Sequence, residues 1–330
     1  MDRRRLDVRS TVPVRRQSVA AQAVAVGVLS LAVLWLARNT VLTLDQHGIS
    51  LGFGFLRQPA NFEIGDAPIA YSPSDTFIRA IVVGLANTAR VSVLGWIFAI
   101  TLGFVLGVLR LAPNPPVRGV ARAVVEAVRN VPLLLLLLLL AAMVHTLPAA
   151  RAALHPLPGV FISDRGLVVP SLSLATWNID WPRLEGFNFV GGLTISPELT
   201  ALLGALVLHH AAHISEVVRG AVLAVPTRQR DAASALGLTR FQTLRFVVVP
   251  QALRAMVPLL ATNCVSLTKN SSLAVAIGFP DLVSILNTTA NQTGHAIETM
   301  LMMILAYLTL SLAVAAVMNT YNRRLLRAGA

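Results

Sequence analysis

Long apolar runs separated by polar stretches dominate the chain, and six of the runs reach the roughly 20 residues that a membrane-spanning helix needs. They run from Val19 to Leu36, Ile81 to Leu109, Val120 to Thr146, Leu199 to Leu223, Ala252 to Ile277 and Ala296 to Met318. The pattern predicts an all-α, polytopic membrane protein of about six transmembrane helices. Arg3, Arg4, Arg5, Arg9, Arg15 and Arg16 precede the first run, and Trp35 and Arg38 close it in place of a small-residue cleavage site. It therefore reads as an uncleaved span rather than a signal peptide.

Arginine placement gives the predicted topology, because segments rich in arginine stay on the cytoplasmic side. The N-terminal tail, the turn with Arg110, Arg118 and Arg122, the segment from Arg228 to Arg254, and the tail with Arg323, Arg324 and Arg327 fall inside. Loops 38–80 and 147–197 fall outside. The expected organisation is a cytoplasmic basic tail over 1–18, a membrane domain over 19–322 and a cytoplasmic tail over 323–330. The outer loops carry Gly52-Phe53-Gly54, Pro156-Leu157-Pro158, Trp177 and Trp181-Pro182, a composition that suits packing at the membrane interface or contact with an external partner.

Composition agrees. Hydrophobic residues make up 55% of the 330 and charged residues only 13%, about half the charge of a soluble domain. The net charge of +12 could point to nucleic acid, but aromatic content is 6% and the arginines sit at the ends of apolar runs, so the basic groups face membrane lipid and no nucleic acid is expected. Cys264 is the only cysteine, which excludes an intrachain disulfide and a multi-cysteine metal site. Lys269 is the only lysine and follows Thr268 rather than glycine, so the chain lacks the lysine of a phosphate-binding loop. Neither a catalytic residue nor a metal ligand set is expected.

Ionisable groups inside spans are costly and ask for a reason. Glu126 and Arg129 sit three apart and can pair, and Glu216 and Arg219 repeat that spacing; both read as structural or gating ion pairs. Span five is more unusual. It holds Asn263, then Thr268-Lys269-Asn270-Ser271-Ser272. Counting from Ala255, Lys269 lies roughly 20 Å into the membrane. Five consecutive polar residues cannot share one stripe, so some must line water or leave regular helix. Lys269 with free backbone N–H groups suits a carboxylate, and the Ser and Asn oxygens suit an ammonium, so Asn263, Lys269, Asn270, Ser271 and Ser272 form a candidate path for a zwitterion. The alternative is that Lys269 snorkels and the others hold helices together. His209, His210 and His213 read as helix–helix contacts rather than metal ligands, since no further ligand is evident.

Between spans four and five, Pro226 and Thr227 begin a short helix, Ala232, Ala233 and Ala235 give it a small-residue surface, Gly237 ends it and Thr239 caps the next. By itself this is an ordinary helical hairpin.

With its spacing considered, the segment resembles the EAA loop of ABC importer permeases: Asp231-Ala232-Ala233, Gly237 and Pro250 match, with Asp in place of the usual Glu. Asn87-Thr88, Glu126-(x)2-Arg129-Asn130-x-Pro132, Glu216-(x)2-Arg219, Pro250-Gln251-Ala252-Leu253-Arg254, Thr268 to Asp281 and Asn291-Gln292-Thr293-Gly294 are similar to the polar amino acid group of that family. Asp164-Arg165-Gly166-Leu167 and Phe187-Asn188-Phe189 are similar to its AapQ-type members. The resemblance implies a type I ABC importer permease fold with a docking loop at about 225–250, where Asp231, Ala232, Ala233, Gly237 and Leu238 meet a separate ATPase subunit. It implies no cofactor on this chain, with ATP and Mg held by that subunit. The implied partners are the ATPase subunits, a second permease subunit in a homo- or heterodimer, a periplasmic binding protein and an amino acid substrate, at a bacterial inner membrane. Departures from the pattern are Leu136, the histidines at 209, 210 and 213, and a 170–181 stretch too short for the extra apolar segment of AapQ-like chains. A permease for an opine or organic acid, and an intramembrane enzyme or channel working without an ATPase, are the alternatives.

Overall fold

A computed structural model of the chain describes residues 16–46, 52–173 and 178–327. It divides into two compact units, Met1–Phe53 and Gly54–Ala330. The first contains α1 (Arg16–Gln46), an apolar helix that continues through Arg38, beyond the predicted end at Leu36. Residues 1–15, with most of the basic tail, lie outside the described residues.

The second unit is built around α2 (Phe77–Leu109), which starts where the Thr76 hydroxyl accepts the Arg79 N–H. Gly84, Gly95, Gly103 and Gly107 form a stripe of close approach along α2. A methyl group at Gly103 would sit 2.7 Å from the Ile214 side chain, and one at Gly107 would sit 2.6 Å from Val218. Small residues let membrane helices approach backbone to backbone, where dispersion replaces the missing hydrophobic drive.

The third predicted span is corrected. In place of one helix from Val120 to Thr146, α3 (Pro115–Arg129) and α4 (Leu133–His145) meet at a bend of 101°. Pro132 accounts for the break. Its ring disfavours helical geometry at Val131, and it has no N–H to continue the ladder. The strong apolar run around α4 hides this boundary from a hydropathy reading.

The loop over 147–197 is also more ordered than its composition implies. Its described residues carry eight short strands: β1 (Leu154–Leu157), β2 (Val160–Ser163), β3 (Gly166–Val169), β4 (Ser171–Ser173), β5 (Asn178–Asp180), β6 (Arg183–Glu185), β7 (Asn188–Val190) and β8 (Leu193–Ile195). They form a sheet of order β1-β2-β3-β8 and two separate hairpins, all antiparallel.

The chain continues through α5 (Pro197–Leu223), α6 (Thr227–Ala235), α7 (Arg240–Thr243), a π turn, α8 (Val249–Asn270), a 3-10 segment, α9 (Leu282–Thr293) and α10 (Ala296–Arg327). Among the described residues, five helices are long and apolar enough to cross a membrane, or six if the bent pair is one span. Leu137, Leu199, Leu202, Leu206 and Phe279 fill one core where α4 and α5 meet the 3-10 segment. A second joins Ile214 and Val218 of α5 to Met256 and Leu267 of α8.

Candidate translocation and docking sites

Span five leaves regular helix within its polar cluster: α8 ends at Asn270, residues Ser271–Ile277 wind as 3-10, and Gly278 stops the segment at φ 77°. Side-chain hydroxyls turn back onto the helix here. Thr268 donates to the Cys264 carbonyl (3.0 Å), Ser271 to Thr268 (2.8 Å) and Ser272 to Lys269 (2.7 Å). Such local bonds compete with the α ladder and satisfy hydroxyls inside an apolar layer.

The five residues predicted to share one path do not share one surface. Asn263 lines a cavity of about 580 Å³ between α3, α5 and α8, with Arg129, His213 and Glu216. Asn270 reaches His210 of α5, its amide nitrogen 3.2 Å from Nε2. Lys269 and Ser272 point elsewhere, into a cavity of about 450 Å³ lined by Tyr307 and Ser311 of α10. Ser271 is fully buried in the wall. The reason is helical geometry, since adjacent residues diverge by about 100°. The histidines belong to the Asn263 and Asn270 side. The His209 and His213 rings lie 4.7 Å apart, and Nδ1 of His209 and of His210 are buried without a partner. Among the described residues, no group of three or more His, Cys, Asp or Glu side chains could hold a metal.

At the Leu109 end of α2 the ionic pairing differs from the predicted pattern in one of its two pairs. Glu216 and Arg219 are in contact, as their spacing allows. Glu126 does not pair with Arg129; it binds Arg122 at 2.7 Å on the exposed side of α3. The i,i+4 partner wins because Arg129 turns toward α5, where its guanidinium lies 3.9 Å from Glu216. Glu216 also takes the guanidinium of Arg110 at 2.6 Å, so three arginines converge on one carboxylate. Arg110 was not singled out from the sequence. As an arginine closing an apolar run it resembles an ordinary topological anchor, yet its side chain is 7% exposed.

The Phe77 end of α2 holds a different kind of polar centre. Asp66 binds Arg90 (2.8 Å) and accepts the Ser196 hydroxyl (2.8 Å), tying the preceding loop to α2 and to the start of α5. The Asn87 amide donates to the carbonyls of Asp66 (2.6 Å) and Pro280 (2.9 Å). Thr88 accepts the Leu282 N–H at 3.1 Å. Asp281 caps α9 through the Ser284 N–H (2.9 Å) and accepts the Tyr307 hydroxyl (3.2 Å).

The loop between α5 and α8 folds as its residues predict. Gly237, at φ 76°, lets the Leu238 N–H reach the Ala233 carbonyl (3.1 Å) and its own N–H reach Ser234 (3.0 Å), the paired bonds of a Schellman stop. Thr239 and Gln242 then cap α7 reciprocally. Asp231, Ala232 and Gly237 are exposed, Leu238 is half-buried, and Ala233 turns inward. The apolar tips Leu236 (81% exposed), Phe241 and Phe246 complete the exposed knob. They were missed because an isolated Leu or Phe in a polar loop reads as packing. Arg230 donates to the Val222 carbonyl at 2.8 Å, fastening α6 to the end of α5.

Comparison with known proteins agrees with this architecture. The family described as "Binding-protein-dependent transport system inner membrane component" matches residues 99–327. YhdX of Escherichia coli (strain K12) is 37% identical over 98% of this chain and 99% of its own length. The "General L-amino acid transport system permease protein AapQ" of Rhizobium johnstonii is 33% identical over 94% of this chain and 92% of its own. Among solved structures, a chain of an "amino acid ABC transporter with histidines" superposes with a TM-score of 0.56 at 22% identity, covering 75% of this chain and 95% of that one. Glycine-stripe packing, the broken fifth span and the exposed inter-span knob are thus features of a chain that belongs to the family of inner membrane components of binding-protein-dependent transport systems, the multi-pass permeases of ABC transporters.

Proposed function

We propose that this chain is the membrane permease subunit of an ABC importer that carries L-amino acids of broad or neutral and polar character. The names of near-full-length relatives support amino acids as the cargo. The observation that carries the mechanism is the fastening of α6 to α5. The Arg230 bond to the Val222 carbonyl lies on the same helix as Glu216, so a push on the knob is delivered to the ionic cluster facing the 580 Å³ cavity. In this reading separate ATPase subunits, loaded with ATP and Mg, seat on Asp231, Ala232, Gly237, Leu238 and the apolar tips. A second permease subunit completes the pore, and a periplasmic binding protein delivers substrate to the 52–76 and 147–197 loops. Both termini lie in the cytoplasm, where the arginine distribution puts them. Closure of the ATPases moves α6 and α5 as a unit and exposes the cavity to alternate sides of the membrane.

Substrate contact is assigned to the α5–α8 side, where Asn263, Asn270, His210 and His213 gather polar side chains. Lys269 and Ser272, facing α10, line a separate wall.

The test is Gly237→Trp. Space around Gly237 is open, so the indole fits the isolated chain while blocking an incoming subunit. Substrate uptake and substrate-stimulated ATP hydrolysis are expected to vanish with membrane insertion intact. Gly237→Ala shares the cost of a side chain at positive φ, about 1 kcal/mol, without the bulk, and is expected to retain most uptake. Wild-type uptake by the Trp variant would refute docking at this knob. Competition of uptake by excess unlabelled amino acids, and its absence with opines or organic acids, separates the cargo classes.

A further inference from the structure

Helix α3 (Pro115–Arg129) links α2 to α4. It starts a few residues after α2 stops at Leu109, and it ends three residues before α4, from which it is bent by 101°. It therefore lies across the direction of α4 rather than along it. Only Ala121, Val125 and partly Val128 pack inward, against α5 and its neighbours. Two other strips run along the helix. Val117, Val120 and Val124 recur at i, i+3 and i+7 and are exposed, Val120 by 68%. Arg118 and Arg122 stand four apart on the polar side, with Glu126 holding Arg122.

We propose that α3 lies in the plane of the inner leaflet and that Arg118 and Arg122 bind the phosphate of an anionic phospholipid while Val117, Val120 and Val124 sit among the acyl chains. An apolar strip and a basic one on opposite flanks of the inward-packed face suit an interfacial helix, and the inner leaflet carries the anionic headgroups that arginine attracts. Arg118 and Arg122 bring two positive charges to this side of α3 and Glu126 offsets one of them, so a net positive charge remains for a lipid phosphate. The site is coupled to the gate. Arg129 is the last residue of α3 and reaches Glu216, so a lipid that pins α3 also holds one arm of the ionic cluster. The inference rests on the topology proposed above.

Two measurements on the full-length chain test it, both in a Cys264→Ser background. A spin label at Val120→Cys in phosphatidylcholine and phosphatidylglycerol vesicles is expected to be open to oxygen and shielded from a water-soluble nickel chelate, and a label at Gly119→Cys to show the reverse. A Val120 label fully open to the chelate would overturn the interfacial placement. Lipid retained by the purified chain from a mixed bilayer is expected to be enriched in phosphatidylglycerol. Arg118→Gln and Arg122→Gln are each expected to lower that enrichment roughly fivefold, the equivalent of about 1 kcal/mol per basic residue at an anionic surface. Arg183→Gln, in the strand-bearing loop, is expected to leave it unchanged, and inorganic phosphate should not compete. Equal enrichment in all variants, or full competition by phosphate, would overturn the lipid site. If an impermeant maleimide labels Gly119→Cys from the outer side of the vesicles used for uptake, the topology fails while the interfacial placement stands or falls by the spin-label result.

Discussion

The two ends of α2 hold polar centres of opposite design. At the Phe77 end, Asn87, Thr88 and Asp281 are buried and bridge backbone groups of the 52–76 loop, α2 and α9 with directional hydrogen bonds. At the Leu109 end, three arginines share Glu216, which is about one third exposed and opens onto a cavity. Directional bonds to backbone fix one geometry. A carboxylate shared among several guanidinium groups has alternative pairings of similar energy, and Arg129 at 3.9 Å is already loosely held. The contrast separates a rigid end from an adjustable end, which is what a gate driven from one side requires.

Asn87→Ala tests the rigid end and carries the largest expected effect. It leaves the Asp66 and Pro280 carbonyls without their donor at a site that is 0% exposed. Unmet buried groups cost about 1–3 kcal/mol each, so a stability loss of about 3 kcal/mol is expected, read as a lowered thermal unfolding midpoint in detergent. An unchanged midpoint would mean the knot is not a structural clamp. Next, Glu216→Gln strips the shared counter-charge from Arg110, Arg129 and Arg219. Because Glu216 is partly hydrated, roughly 2 kcal/mol is expected, below the roughly 3–5 kcal/mol of a fully buried pair. Its signature is functional: uptake should fall far more than stability, whereas Asn87→Ala should lower both together. A Glu216→Gln protein with normal uptake would make the cluster a mere surface feature. The smallest effect belongs to Glu126→Gln, which removes only the exposed pair with Arg122. Below about 0.5 kcal/mol is expected, with uptake retained, and a loss as large as that of Glu216→Gln would restore a central role for Glu126.

Much of the architecture was legible because it is encoded locally. Gly237 and Thr239 mark helix ends by capping chemistry that depends on a few neighbouring residues. The exposed knob could therefore be drawn in detail from residues 225–250. The polar cluster at Thr268–Ser272 likewise announced a departure from regular helix. The bend at Pro132 was written in the sequence too, but eight successive leucines outweighed one proline in a hydropathy window. The strands of the 147–197 loop, three or four residues each, are too short for a periodic signal.

What the sequence alone determined is the approximate number of membrane-crossing stretches, the helix ends set by local caps and which loop stands out as a knob, because hydropathy and capping act over neighbouring residues. What only the tertiary structure decided is the partnership of polar side chains: Lys269 turned toward α10, Asn270 toward His210, and Arg129 drawn away from Glu126 to Glu216. Inside a membrane a polar group that its own helix does not satisfy finds its partner on another helix, and which one it meets depends on helix rotation and tilt. Those are set by the fit of Gly84, Gly95, Gly103 and Gly107 against facing helices, a relation among residues far apart in the chain.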